Sequence, residues 1–172
     1  MTRLCTALIA AVPFALALGR AAPTFADDPT PEQIRAQMMA ETPNNAAAGA
    51  KPIAGDAIYK AFHEKAGIER IADDLVDRAV ADPRIGARFK DTKLPRLKHL
   101  LAQQFCYLAG GPCDYTGDDM KVVHQGLGLK ESDFNALAED LQLSMDKEGV
   151  SFRAQNALLA KLAPMEHKDV TK

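Results

Sequence analysis

The sequence predicts an all-α domain over residues 56–170, preceded by an N-terminal extension. Three observations carry this reading. From residue 57 onward, apolar residues recur at helical spacing. No segment alternates with a period of two. Only 6% of residues are aromatic and none is Trp, less than a β-sandwich of this size uses.

The elements follow in order. Ile68, Ile71, Ala72, Leu75, Val76, Ala79 and Val80 occupy one face of a helix that Pro83 ends. A short segment, Ile85 to Phe89, connects it to the next helix, where Pro95 suits the first turn. Leu97, Leu101, Gln104, Phe105 and Leu108 share a face there, and Gly110-Gly111-Pro112 stops it. Thr116 and Asp119 resemble a capping pair for a short helix through Met120, Val123 and His124, which Gly126 and Gly128 break. Phe134, Leu137, Ala138, Leu141 and Met145 define a long amphipathic helix. Val150 to Leu162 gives the last, which Pro164 is expected to close.

Residues 1–26 read as a secretory signal: Arg3 supplies a short positive start, Leu4 to Gly19 is almost wholly apolar, and Thr24-Phe25-Ala26 suits cleavage. An uncleaved anchor is the alternative, but the apolar run is shorter than the ~20 residues a span needs. Cleavage leaves no stable membrane span and places the mature chain in the periplasm or outside the cell. Residues 27–55, rich in Pro, Ala, Asn and Gly, read as a flexible linker. The net charge of −2 and the pI of about 6.1 provide no basic footprint for nucleic acid.

Cysteine usage fits export. Of three cysteines, Cys106 and Cys113 lie beyond the signal. Their separation is not the short spacing of zinc sites or thiol oxidoreductases. They flank the Gly110–Pro112 turn, where they form either a bridge, expected in an oxidising compartment, or two free thiols. Asp114, Asp118 and Asp119 precede or begin a helix and suit its dipole better than a metal ion.

His124 is the residue most suggestive of chemistry. It sits near the end of a short helix, one turn after Met120. Spacing alone leaves it an ordinary half-buried histidine. The surrounding words say more. Gly110-Gly111-Pro112, Tyr115-Thr116-Gly117, Met120, His124, Gly126 and Gly128, in that order and spacing, resemble the group I truncated haemoglobins. Asp73-Asp74-Leu75-Val76-Asp77-Arg78 and Ala81-Asp82-Pro83-Arg84-Ile85 are similar to that family's second helix and its following turn. The resemblance runs from about Ile58 to Val170.

It implies a two-on-two helical sandwich around one b-type haem, with His124 as axial ligand to the iron. Phe89, Tyr115, Met120 and Phe134 become haem contacts, although Tyr115 suits plain core packing equally well. Arg96 is a candidate partner for a haem propionate, as are Lys98 and Lys121. With no CxxCH in the chain, the haem is expected to be non-covalent. The expected partner is a diatomic gas; a reductant is implied but unnamed.

The distal side departs from the family pattern. Many members carry Tyr at the position of Val76 and Gln at the position of Leu101; here those positions and Leu97 are apolar. None can donate a hydrogen bond to a ligand. Gln104 lies on the same stripe and either reaches the ligand or bonds a neighbouring backbone group. His99 points away from Leu101 by its helical phase. The reading is therefore a ligand-binding haem protein of the oxygen-binding class, with five-coordinate iron. The alternatives are a haem enzyme on the same scaffold, a nitric oxide dioxygenase or a peroxidase, and a helical interaction module without haem.

Overall fold

The computed structural model describes Thr30, Glu32 and residues 42–169, with side chains as far as Met165. The leader expected over residues 1–26 lies outside the described residues. Among them are six α-helices: α1 (Ala57–Ala61), α2 (Glu64–Ala81), α3 (Leu94–Leu108), α4 (Met120–His124), α5 (Glu131–Lys147) and α6 (Phe152–Asp169). Two 3-10 turns, Asn45–Ala48 and Gly86–Phe89, complete the path, and the described residues contain no strand. None of these helices is long and apolar enough to cross a membrane.

The long helices pack as the apolar stripes require. α2 buries Ile68, Ile71, Ala72, Leu75, Val76 and Ala79 and packs against both α3 and α5. α6 packs on α5 and reaches α1, α3 and α4. The main core gathers Phe62, Leu75, Phe105, Leu108, Leu141, Met145 and Leu158, all nearly inaccessible to solvent. A smaller cluster places Phe89 against Ala79, Ile85 and Ala136 at the corner of α2, the second 3-10 turn and α5.

Three expectations differ from the structure. The cap of α4 is Asp119 alone, whose side chain accepts from the Lys121 N–H at 2.9 Å. Thr116 instead turns back to α3: its hydroxyl and its N–H both donate to Gln103 Oε1, at 2.8 and 3.0 Å. Pro164 does not end the last helix, which continues to Asp169 with the proline inside. The proline forfeits one helical hydrogen bond, but the next residue, Met165, is buried in the main core, and that packing holds the final turns. Thirdly, residues 44–53 do not behave as linker. Ala47 and Ala48 are buried, and the segment hydrogen-bonds to the end of α3 and to the connection after it.

Two carboxylates tie the middle of α2 to the C-terminal end of α5. Burial alone would raise the Asp74 carboxyl, but hydrogen bonds from Lys147, Arg78 and Ser144 outweigh it and hold it at about 2. Glu148 is likewise held at about 2, chiefly by Arg70, with burial opposing and His63 assisting. Both groups bind protons less readily folded than unfolded. Their stabilisation is therefore complete above the ordinary carboxylate range and is lost as pH falls toward 2. Because Lys147 and Arg70 are more than half exposed, solvent screening keeps each contribution to about 1 kcal/mol.

Asp140 acts in the opposite sense. It is buried, its Oδ2 has no hydrogen-bond partner, and burial, reinforced by Asp82, raises its carboxyl. Its ionised form costs the fold stability at neutral pH, and protonation on acidification relieves that cost. Urea unfolding at pH 7 and pH 3 should therefore show an acid loss that Asp74→Asn with Glu148→Gln makes shallower and Asp140→Asn makes steeper. Parallel pH profiles for all three proteins would contradict the assignment.

Candidate haem-binding site

α4 is only five residues long, so its position depends on its flanks. On the N-terminal side, Tyr115 is buried and its hydroxyl donates to the Asp118 carbonyl at 3.1 Å. The ring lies so close to Gly117 that a Cβ there would collide with it. On the C-terminal side, Arg88 donates to the carbonyls of Leu127 at 3.0 Å and Gly128 at 3.3 Å and pairs with Asp133 at 2.8 Å. The loop after His124 is thus pinned to the second 3-10 turn and to the start of α5. A disulfide joins Cys106 in α3 to Cys113 in the connection, with a Cα separation of 5.8 Å.

Within this frame His124 is half-buried, and its Nδ1 lies 2.8 Å from the Met120 carbonyl oxygen. A carbonyl oxygen only accepts, so the ring proton must reside on Nδ1. In the neutral ring the lone pair then belongs to Nε2, the kind of nitrogen a metal coordinates. The neighbours of His124 in sequence, Val122, Val123 and Leu127, are 62%, 42% and 53% exposed, apolar side chains left open to solvent on this short helix and the loop after it.

The donor set also bears on the kind of metal. Among the described residues, no three His, Cys, Asp or Glu side chains are placed to hold an ion. A lone imidazole suits a metal that brings its remaining ligands with it, as haem iron does. The residues present therefore fit haem.

The other expected site residues are spread over four helices. Val76 is buried on α2, while Leu97 and Leu101 are half-buried on α3, Leu101 lying against the main core. Met120 lies between the main core and the cluster of Ala47, Ala48 and Tyr115. Phe134 is half-buried on the first turn of α5, and Arg96 is exposed at the start of α3. Gln104 is buried, and its amide donates to the Ala48 carbonyl at 3.0 Å and approaches the Met120 sulfur at 3.3 Å. His99 meets the Gln103 amide at 2.9 Å.

Reading the sequence missed Arg88, Gln103, Asn44 and Asn45. Two adjacent asparagines before an alanine run are a turn-and-cap signal that was available; the sequence carried none for Arg88.

Comparison with known proteins bears on the fold and the family. The family model described as bacterial-like globin matches residues 57–171. A group 1 truncated hemoglobin of Mycolicibacterium paratuberculosis is 31% identical over 108 residues, covering 63% of this chain and 79% of that protein. The crystal structure of the truncated hemoglobin of Tetrahymena pyriformis in its Fe(III) form superposes with a TM-score of 0.64 at 23% identity, covering 67% of this chain and 98% of the other. The 2/2 hemoglobin of Synechococcus, solved in the cyanomet state with covalently attached heme, gives a TM-score of 0.59 at 23% identity, covering 64% and 94%. With the described helices in the two-on-two arrangement of these structures and a family match over residues 57–171, the chain belongs to the bacterial-like globins, a family that binds ligands through haem.

Proposed function

We propose that this chain reversibly binds diatomic gases (oxygen, nitric oxide or carbon monoxide) through a five-coordinate, non-covalently held b-type haem. The observation that carries the proposal is the 2.8 Å contact from His124 Nδ1 to the Met120 carbonyl, which presents Nε2 for coordination. When bound, the haem would supply an iron able to take a small diatomic ligand. His124 would hold that iron, and the chain would surround the haem with apolar side chains.

No side chain at the three expected distal positions, Val76, Leu97 and Leu101, can donate to a ligand. Gln104 commits its amide to the Ala48 carbonyl, and His99 is engaged by Gln103. This composition favours ligand binding over the enzymatic alternatives. Peroxide cleavage needs a distal acid–base group, and nitric oxide dioxygenation needs a long-lived oxygen complex and an electron donor.

Placement outside the cytoplasm rests on two supports: the apolar leader pattern in residues 1–26, and the Cys106–Cys113 pairing, a bond that oxidising compartments maintain.

Stopped-flow mixing tests the proposal. The reduced, haem-loaded chain should bind carbon monoxide in a single reversible step, while hydrogen peroxide should be consumed no faster than by free haem. Rapid peroxide turnover with an electron donor would favour the enzyme.

A further inference from the structure

We propose that residues 44–55 form a strap that sets the position of His124, with Asn44 and Asn45 as its positioning residues. The proposal rests on His124 being the haem ligand and adds what aims it. The strap lies N-terminal to the stretch matched by the globin family.

Its hydrogen bonds run to the connection that leads into α4. Asn44 donates its N–H to the Tyr115 carbonyl at 2.6 Å and its side-chain amide to the Gly117 carbonyl at 3.0 Å. Asn45 bridges the next pair: its amide nitrogen donates to Asp114 Oδ1 at 2.8 Å, and its oxygen accepts from the Tyr115 N–H at 2.8 Å. Farther along, the Ile53 N–H donates to the Leu108 carbonyl at 2.9 Å.

Two glycines mark where the strap makes its closest approaches. Gly49, at φ +90°, lies against the end of the Met165 side chain and against Met120. Gly110, at φ +84°, would drive a Cβ into the carbonyl oxygens of Gly55 and Ile53. Both φ values suit glycine alone.

A continuous path then reaches the ligand. The Ala48 carbonyl holds the Gln104 amide, Gln104 lies against the Met120 sulfur, and the Met120 carbonyl holds His124 Nδ1. α4 has only five residues and no helix dipole of consequence to orient it, so its register is inherited from the segment that feeds it. The strap binds that segment at residues 114, 115 and 117.

The Asn45–Asp114 contact permits an exchange test in the full chain. Asn45→Asp alone sets two carboxylates face to face; Asn45→Asp with Asp114→Asn restores the donor and both acceptors in reversed roles. Asn44→Ala removes a second anchor. Glu148→Gln, whose carboxylate pairs with Arg70 and His63 rather than with the strap, is a control for lost stability alone. The readouts are amide hydrogen exchange over residues 118–125 in the haem-free chain and the rate of haem transfer to an excess of a haem-scavenging apoprotein.

Asn45→Asp and Asn44→Ala should speed both by about tenfold, the size expected for supports of a metal ligand. The exchanged pair should return both toward the parent values, and Glu148→Gln should leave both unchanged. Unaltered exchange and haem transfer in the strap variants, in a parent chain that binds haem, would overturn the strap and leave the ligand assignment standing. Faster exchange and transfer in Glu148→Gln as well, without rescue by the exchanged pair, would overturn it as mere destabilisation. A parent chain that takes up no haem would overturn both.

Discussion

Oxygen should leave the reduced, haem-loaded chain fast, and Leu101→Gln should slow its release by about ten- to a hundredfold. Oxygen on ferrous haem carries partial negative charge and gains on the order of 1–3 kcal/mol from a nearby hydrogen-bond donor. Val76, Leu97 and Leu101 offer none. Gln104, the polar residue on the same stripe, is held by the Ala48 carbonyl. Leu101 is half-buried on α3, so a glutamine there keeps similar bulk while adding an amide. Carbon monoxide, which binds with less charge separation, should be released at nearly the same rate by both proteins. Stopped-flow displacement of oxygen by carbon monoxide reads the effect. Slow release from the unmodified chain would mean that some group does reach the ligand.

A second large effect concerns the frame rather than the ligand. Leu108→Ala should lower the unfolding free energy by about 3 kcal/mol, within the range for emptying a close-packed leucine site. Leu108 is fully buried in the main core at the end of α3. Its neighbour in sequence, Ala109, is also fully buried, and its carbonyl accepts from the Tyr59 N–H at 3.1 Å, so the backbone there cannot easily collapse into the void. Phe152→Ala provides the contrast. Phe152 is 72% exposed at the start of α6, and its loss should cost less than about 0.5 kcal/mol. Urea midpoints of the two variants should differ clearly. Equal midpoints would mean that the core is drawn wrongly.

The long helices were legible because each must bury one stripe, and a stripe has a period. The face from Ile68 to Ala79 and the face from Leu97 to Leu108 are visible in the residues themselves, and both are the faces that pack. His124 stood out as the candidate ligand through the spaced words around it. Its contact with the Met120 carbonyl was not legible, because only a folded helix brings that oxygen to Nδ1.

The misreadings share a cause: local signals yielded to tertiary contacts. Pro164 carries a strong stop signal, yet the burial of Met165 outweighs it. Thr116 looks like a cap, yet Gln103 offers its oxygen to both the hydroxyl and the N–H. Residues 44–55 look like linker because Ala and Gly carry no periodic pattern. Their small size is what lets the backbone lie directly on α3 and against Met165. Sequence periodicity reports what large side chains do and is silent on close backbone packing.

The most direct test of the account is a haem titration of the chain lacking residues 1–26, alongside His124→Ala, with absorption spectra in the ferric, ferrous and ferrous–carbon monoxide states. The account predicts uptake of one haem per chain, a five-coordinate ferrous spectrum that converts fully with carbon monoxide, and collapse of that spectrum in His124→Ala. Absence of stoichiometric uptake, or a spectrum that His124→Ala leaves unchanged, would contradict it.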